Sequence, residues 1–271
     1  MSAGTDDPAT IGGLLLLGCG KMGGALLSGW LAKGLPPERV QVIDPHPSDW
    51  LRDLATRGLV LNPASPGPAE VAVLAVKPQM MDEAAPAIAT LGGGGTLVIS
   101  IAAGTPIAEF ERIFGPGTPV VRAMPNTPSA IGKGVSALIA NTQASGADRG
   151  RAEGLMAAVG RTVWLEGEGQ MEAVTGLSGS GPAYVFHMIE AMAAAGEAEG
   201  LDPDLAMTLA RSTVIGAAAL AEHSEESAEQ LRINVTSPGG TTAAGLGVLM
   251  EELPDLMRRT VGAAAARFRG G

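Results

Sequence analysis

Basic residues are scarce in this chain of 271 amino acids: 18 lysines and arginines face 28 aspartates and glutamates, for a formal net charge of −10. The lysines are Lys21, Lys33, Lys77 and Lys133, scattered and without a basic stripe to neutralise a polymer of phosphates, so nucleic acid is excluded as a partner. Cysteine is nearly absent. A lone Cys19 forms no internal disulfide and no zinc cluster, which fits a reducing cytoplasm and a chain with no metal site. The three histidines, His46, His187 and His223, stand in unrelated contexts, so no Ser/His/Asp or Cys/His arrangement emerges. Long uninterrupted apolar runs are missing too. The longest, 205–221, is broken by Thr208, Arg211, Ser212 and Thr213, and reads as a buried helix with no membrane role. Residues 1–10 carry Asp6 and Asp7 where a secretory signal needs positive charge, and are expected to form a disordered tail.

What is abundant is apolar: 46% hydrophobic against 17% charged, enough for real cores, with 39 glycines set at the ends of apolar runs and in no repeat. Short runs at 14–17, 40–43, 71–76, 97–101 and 119–122 alternate with helical stretches, the signature of a parallel sheet covered on both faces. Segments 134–140 and 162–165 read as two further strands. From there on every segment reads as helix, roughly 182–199, 203–222, 227–234, 241–250 and 254–268. The fold class is therefore α/β then all-α: a Rossmann-like dinucleotide-binding domain over 11–166 and a helical domain over 167–271. The first two long helices are apolar nearly all round, more than so small a domain can bury alone, and a second copy of the chain is inferred to cover them.

The first apolar run ends in Gly18-Cys19-Gly20-Lys21-Met22-Gly23, followed by a helical stretch. Gly18 permits a tight turn, Gly20 lets backbone approach a pyrophosphate, and Gly23 lets the helix pack on the strand. Asp44, at the end of the second strand, stands where an acid meets the ribose. Ala75-Val76-Lys77-Pro78 and the run through Ala102 and Ala103 end the next two strands, and both tips point at the cofactor. Met124-Pro125-Asn126-Thr127-Pro128 is a proline-stiffened loop where Asn126 could face a nicotinamide, or simply join two elements. Leu177-Ser178-Gly179-Ser180-Gly181-Pro182-Ala183-Tyr184 reads as a glycine-serine turn opening the first apolar helix. Ser237-Pro238-Gly239-Gly240-Thr241-Thr242 opens a later one, as an anion pocket or as ordinary helix capping.

Together these segments closely resemble pyrroline-5-carboxylate reductase, from about Ile11 to Phe268. The resemblance implies a Rossmann domain followed by a helical dimerisation domain, a homodimer extendable to a ring of dimers, and reduction of 1-pyrroline-5-carboxylate to L-proline by hydride from NADH or NADPH. Carried over by position, it implies that Thr242 bonds the ring nitrogen, with Glu225 as a second catalytic candidate. Glu168, Ser237, Gly239, Gly240 and Thr241 would lie about the substrate, and Asn234 would reach the cofactor from the helical domain. Asp44 departs from the small hydroxylated residue frequent there, so NADH is expected to serve at least as well as NADPH. Two other readings fare worse: related reductases place a catalytic lysine in the helical domain, whereas no lysine follows Lys133, and a non-catalytic sensor would have lost the 237–242 pocket.

Overall fold

The computed structural model describes residues 6–269. In chain order the first part runs β1 (Leu14–Leu17), α1 (Lys21–Ala32), β2 (Val40–Ile43), α2 (Asp49–Thr56), β3 (Val60–Leu61), β4 (Val71–Leu74), α3 (Met81–Ala84), β5 (Leu97–Ser100), α4 (Ile107–Phe114), β6 (Val120–Met124), β7 (Gly134–Ala140), α5 (Gly146–Ala157) and β8 (Gly160–Trp164). The eight strands form one sheet in the order β3-β2-β1-β4-β5-β6-β7-β8. Alternation sends Leu14 and Leu16 to a core with Trp30, Leu51 and Leu155, while Leu15 and Leu17 go to another with Phe110 and Phe114. Both faces are thus covered, as the pattern of apolar runs implies.

The sheet is not wholly parallel. β6 pairs antiparallel with β7, so β7 and the parallel-paired β8 run against the rest. The connection 125–133 explains the reversal, being shorter than the dozen or so residues of a parallel crossover. The two-residue β3 adds an edge that composition did not reveal.

The expected disordered tail over 1–10 is corrected for its described part. Asp7 caps a 3-10 turn over Pro8–Thr10 by accepting from the Ala9 N–H at 3.0 Å, and Pro8 is buried. The Asp6 N–H donates to the Gly150 carbonyl at 3.3 Å on α5, and a Cβ on Gly154 would stand 1.7 Å from the Asp6 carbonyl oxygen. Arg39 Nη1 donates to the carbonyls of Ala9 and Ile11 at 3.1 and 3.2 Å. Residues 1–5 lie outside the described residues.

The second part runs α6 (Met171–Val174), a π-helical turn (Thr175–Gly179), α7 (Gly181–Ala198), α8 (Pro203–His223), α9 (Ala228–Asn234) and α10 (Thr241–Arg269). The glycine-serine segment expected as a turn is therefore helical from Met171 onward, with one widened turn. The two helices expected at 241–250 and 254–268 are one helix that continues through Pro254. Compact units divide at Gly179/Ser180 and not near residue 166: one unit runs to Gly179 and takes in the helix end from Ala265, the other is Ser180–Ala264.

Within the second unit α7 and α8 form a hairpin with an alanine seam of Ala193, Ala206 and Ala210. Gly196 admits Leu201 and Ala206, whose atoms would lie 3.2 and 3.3 Å from a Cβ there. The expected burial of these helices is not met within one chain: Phe186 of α7 and Ile215 and Leu220 of α8 are each more than half exposed, as are Val248, Leu249 and Met250 of α10. By length and composition α8 could cross a bilayer, although Arg211 interrupts it.

Candidate functional site

The cofactor candidates gather at the carboxyl edge of the sheet in the first unit. Gly18 follows β1 with φ +88°, its N–H donating to the Ile43 carbonyl at 2.8 Å, and a Cβ there would press on Val76 at 2.9 Å. Gly23, on the first turn of α1, lies so close to the strand that a Cβ would stand 2.4 Å from the Gly18 carbonyl oxygen. Gly20 differs from both. It is the N-cap of α1, makes no side-chain cap, and a Cβ on it would meet nothing within 4 Å. Two glycines thus answer to packing inside the protein and one to space outside it, and the uncapped start of α1 is a place for an anion. Beside it Cys19, Gly20, Lys21, Gly24, Ser48 and Trp50 line a cavity of about 410 Å³. Across the strand tips Leu17, Ile43, Pro45, Val76 and Met80 line an apolar slot of about 190 Å³. These features fit a dinucleotide.

Asp44 is buried, and its carboxylate is turned onto the loop. Oδ2 accepts from the Cys19 N–H at 2.6 Å and Oδ1 from the His46 N–H at 2.7 Å. Asn62, with φ +48°, grips the Asp44 backbone from behind: its amide oxygen accepts from the Asp44 N–H at 2.8 Å and its Nδ2 donates to the carbonyl at 2.9 Å. Each carboxylate oxygen of Asp44 thus already holds one backbone N–H, with acceptor capacity to spare on the side chain expected at the ribose hydroxyls. Burial first, and the Asp44 charge second, push the Cys19 thiol up to about 11.

Ala75 and Val76 follow β4, the Ala75 N–H donating to the Leu17 carbonyl at 2.8 Å, and exposed Lys77 caps a 3-10 turn that begins at Pro78. Ala102, buried, and Ala103 follow β5, where Ser100 Oγ accepts from the Ala102 N–H at 3.2 Å. Asn126 is buried with both ends of its amide engaged: Oδ1 accepts from the Val135 N–H at 2.9 Å and Nδ2 donates to the Ser178 carbonyl at 3.2 Å. These two bonds link the loop to the π-helical turn. Glu168 Oε1 accepts from the Ile107 N–H at 2.8 Å and pairs with Arg122 Nη1.

The remaining candidates belong to the second unit. Exposed Glu225 lies in the link from α8 to α9. Asn234 ends α9, donating to Glu226 Oε2 at 2.9 Å and accepting from Gln230 Nε2 at 2.8 Å. In the loop that follows, Gly239 takes φ +70°, the Gly240 N–H donates to the Ser237 carbonyl at 3.0 Å, and a Cβ on Gly240 would strike Ser237 Oγ at 2.5 Å. Thr241 and Thr242, both exposed, then open α10. Among the described residues no group of three or more His, Cys, Asp or Glu is placed to hold a metal ion.

Sequence reasoning passed over Arg122 and Asn62. The signal for the first was present: an arginine in the apolar run Val120-Val121-Arg122-Ala123-Met124 must find a partner when the strand is buried. Asn62 carries no such signal, because its role depends on a left-handed backbone.

Residues 168–270 match the family described as pyrroline-5-carboxylate reductase dimerisation, and 13–104 the one described as NADP oxidoreductase, coenzyme F420-dependent. The pyrroline-5-carboxylate reductase of Pseudomonas aeruginosa is 41% identical over 236 residues, 86% of each chain, and that of Synechocystis is 42% identical over 86% of this chain and 88% of its own. Among solved structures, a pyrroline-5-carboxylate reductase from Coxiella burnetii superposes with TM-score 0.88 at 35% identity, covering 96% of this chain and 98% of its own. The Plasmodium falciparum pyrroline carboxylate reductase with NADP bound gives 0.80 at 27% identity, over 97% and 98%.

Proposed function

The chain belongs to the pyrroline-5-carboxylate reductase family, and from that membership we propose that it reduces 1-pyrroline-5-carboxylate to L-proline with NADH or NADPH. The observation that carries the reaction is the 41% identity over 86% of both chains; the open approach to Gly20 at the uncapped start of α1 supports where the dinucleotide lies. When bound, the nicotinamide supplies the hydride. A protonated imine is already electrophilic, so the protein has mainly to orient two partners and stabilise a changing charge.

The roles follow from that requirement. The first-turn N–H groups of α1 receive the pyrophosphate, and the apolar slot about Val76 and Met80 suits a flat ring. Ala75, Lys77, Pro78, Ala102 and Ala103 wall the cofactor cleft, with Asn126 behind it. Ser237, Gly239, Gly240 and Thr241 present backbone N–H groups and hydroxyls to the substrate carboxylate, and Thr242 bonds the ring nitrogen, with Glu225 as a second catalytic candidate. The charge of Asp44 supports use of NADH at least as well as NADPH, because it disfavours a 2′-phosphate. Arg52, which could offset it, is exposed and turned to Asp49 at 3.6 Å.

Exposed apolar faces on α7, α8 and α10 and the dimerisation match support a homodimer, alone or in a ring of dimers. Sedimentation should find at least twice 27.2 kDa, and an active monomer would contradict the assembly. Following cofactor absorbance with 1-pyrroline-5-carboxylate, NADH and NADPH separately, tests the activity; no oxidation with either would overturn it.

A further inference from the structure

The segment from Ile101 to Pro106 joins β5 to α4 and is held at both ends. At its start the Ile101 N–H donates to the Leu74 carbonyl at 3.0 Å, and Ser100 Oγ accepts from the Ala102 N–H. At its end α4 begins after Pro106, which offers no side-chain cap, so the first helical N–H would be an orphan. Glu168, 61 residues on, fills that vacancy through Oε1, and its charge lies where a helix N-terminus favours an anion. The same Oε1 pairs with Arg122 from β6, whose side chain is only 7% exposed.

We propose that Glu168 is a positioning residue for the 101–106 loop, acting with Arg122 on the cofactor cleft, and not a ligand of the imine substrate. A carboxylate whose charge is offset by a buried guanidinium has little left for a cationic ring. A carboxylate that bridges a strand, a helix start and its own turn instead fixes where Ala102 and Ala103 stand. The inference rests on the reading of those two alanines as a wall of the cofactor cleft.

The test uses the full-length enzyme with whichever of NADH and NADPH gives the higher kcat/KM. In Glu168→Gln the cofactor Kd should rise about tenfold and kcat should fall, with KM for 1-pyrroline-5-carboxylate within twofold of the parent. Arg122→Met should behave likewise. Removing one member strands a buried charge and threatens folding, so the Glu168→Gln/Arg122→Met double variant is the safer form. Its cofactor Kd should rise no further than that of the worse single variant, because one linkage is being cut twice. A tenfold rise in KM for the imine with cofactor Kd unmoved would overturn the proposal, as would additive losses in the double variant. Ala103→Leu separates the premise from the inference. If it leaves cofactor Kd unchanged, the cleft-wall reading falls; if it weakens binding and Glu168→Gln does not, the positioning role falls.

Discussion

Alanine substitutions at Gly20 and Gly23 should fail in different ways, because one glycine is required by the ligand and the other by the fold. At Gly23 the new Cβ starts 2.4 Å from the Gly18 carbonyl oxygen, and reaching ordinary contact at 3.4 Å means backing α1 off by about 1 Å. Overpacking of this kind costs about 1–3 kcal/mol, against which alanine in a helix recovers about 0.5–1 kcal/mol. A net loss near 1 kcal/mol would lower Tm by about 2–4 °C. The shift also carries the start of α1 out of register with the pyrophosphate, where a 1 Å misplacement is worth up to about 10²-fold. At Gly20 a Cβ meets nothing and φ is −68°, so Tm should hold. The methyl nevertheless occupies the approach to the helix start, and cofactor Kd should rise at least about tenfold by displacing a charge-assisted contact. Differential scanning fluorimetry and calorimetric titration read the two effects apart. Parental cofactor affinity in Gly20→Ala would mean that the pyrophosphate does not rest there, and an unshifted Tm in Gly23→Ala would refute the packing argument.

Thr242→Val should lower kcat by about 10²-fold if its bond strengthens in the transition state, with cofactor Kd nearly unmoved; unchanged turnover in a folded variant removes Thr242 from the mechanism. Asp44→Ser should shift preference toward NADPH while weakening both cofactors, since the Cys19 and His46 N–H groups lose their acceptor; a parent enzyme already tenfold better with NADPH would show the charge reading wrong. At pH 8 Cys19, at about 11, should react with iodoacetamide about a hundredfold more slowly than the unfolded chain, whose thiol titrates near 9.0. The folded state holds that proton more tightly. Its contribution to stability is therefore complete below 9.0 and is lost as pH rises toward 11, so equal labelling of the folded and urea-unfolded chains would contradict the burial described.

The sheet was legible because β1 and β2 are apolar runs that stop at Gly18 and Asp44, while those of β4 and β5 run on to Lys77-Pro78 and to Gly104, and tip residues in such a sheet face its ligand cleft whatever the side chains. Strand direction was not, since β7 has the same composition as a parallel strand and only the short 125–133 link betrays it. The π-helical turn at Thr175–Gly179 was hidden by glycines that ordinarily mean a turn. Pro254 hid the continuity of α10, because the loss of one hydrogen bond tells only what a helix gives up and not whether the rest sustains it. Asp44 and Glu168 were legible as candidate acids, but their backbone partners were not: which N–H groups reach a carboxylate depends on the fold, and here they come from the Cys19 loop and the start of α4.

The N-terminal segment and α5 depend on each other. A helix with Gly146, Gly150 and Gly154 on one side is a weak helix by propensity, and at Gly154 the missing side chain leaves the space the Asp6 backbone occupies. Neither piece is well made without the other, so they should open as one cooperative unit. Amide exchange in α5 would then track the Pro8–Thr10 turn more closely than the neighbouring strand β8, and trimming the chain to Ile11 would be felt more than 130 residues downstream.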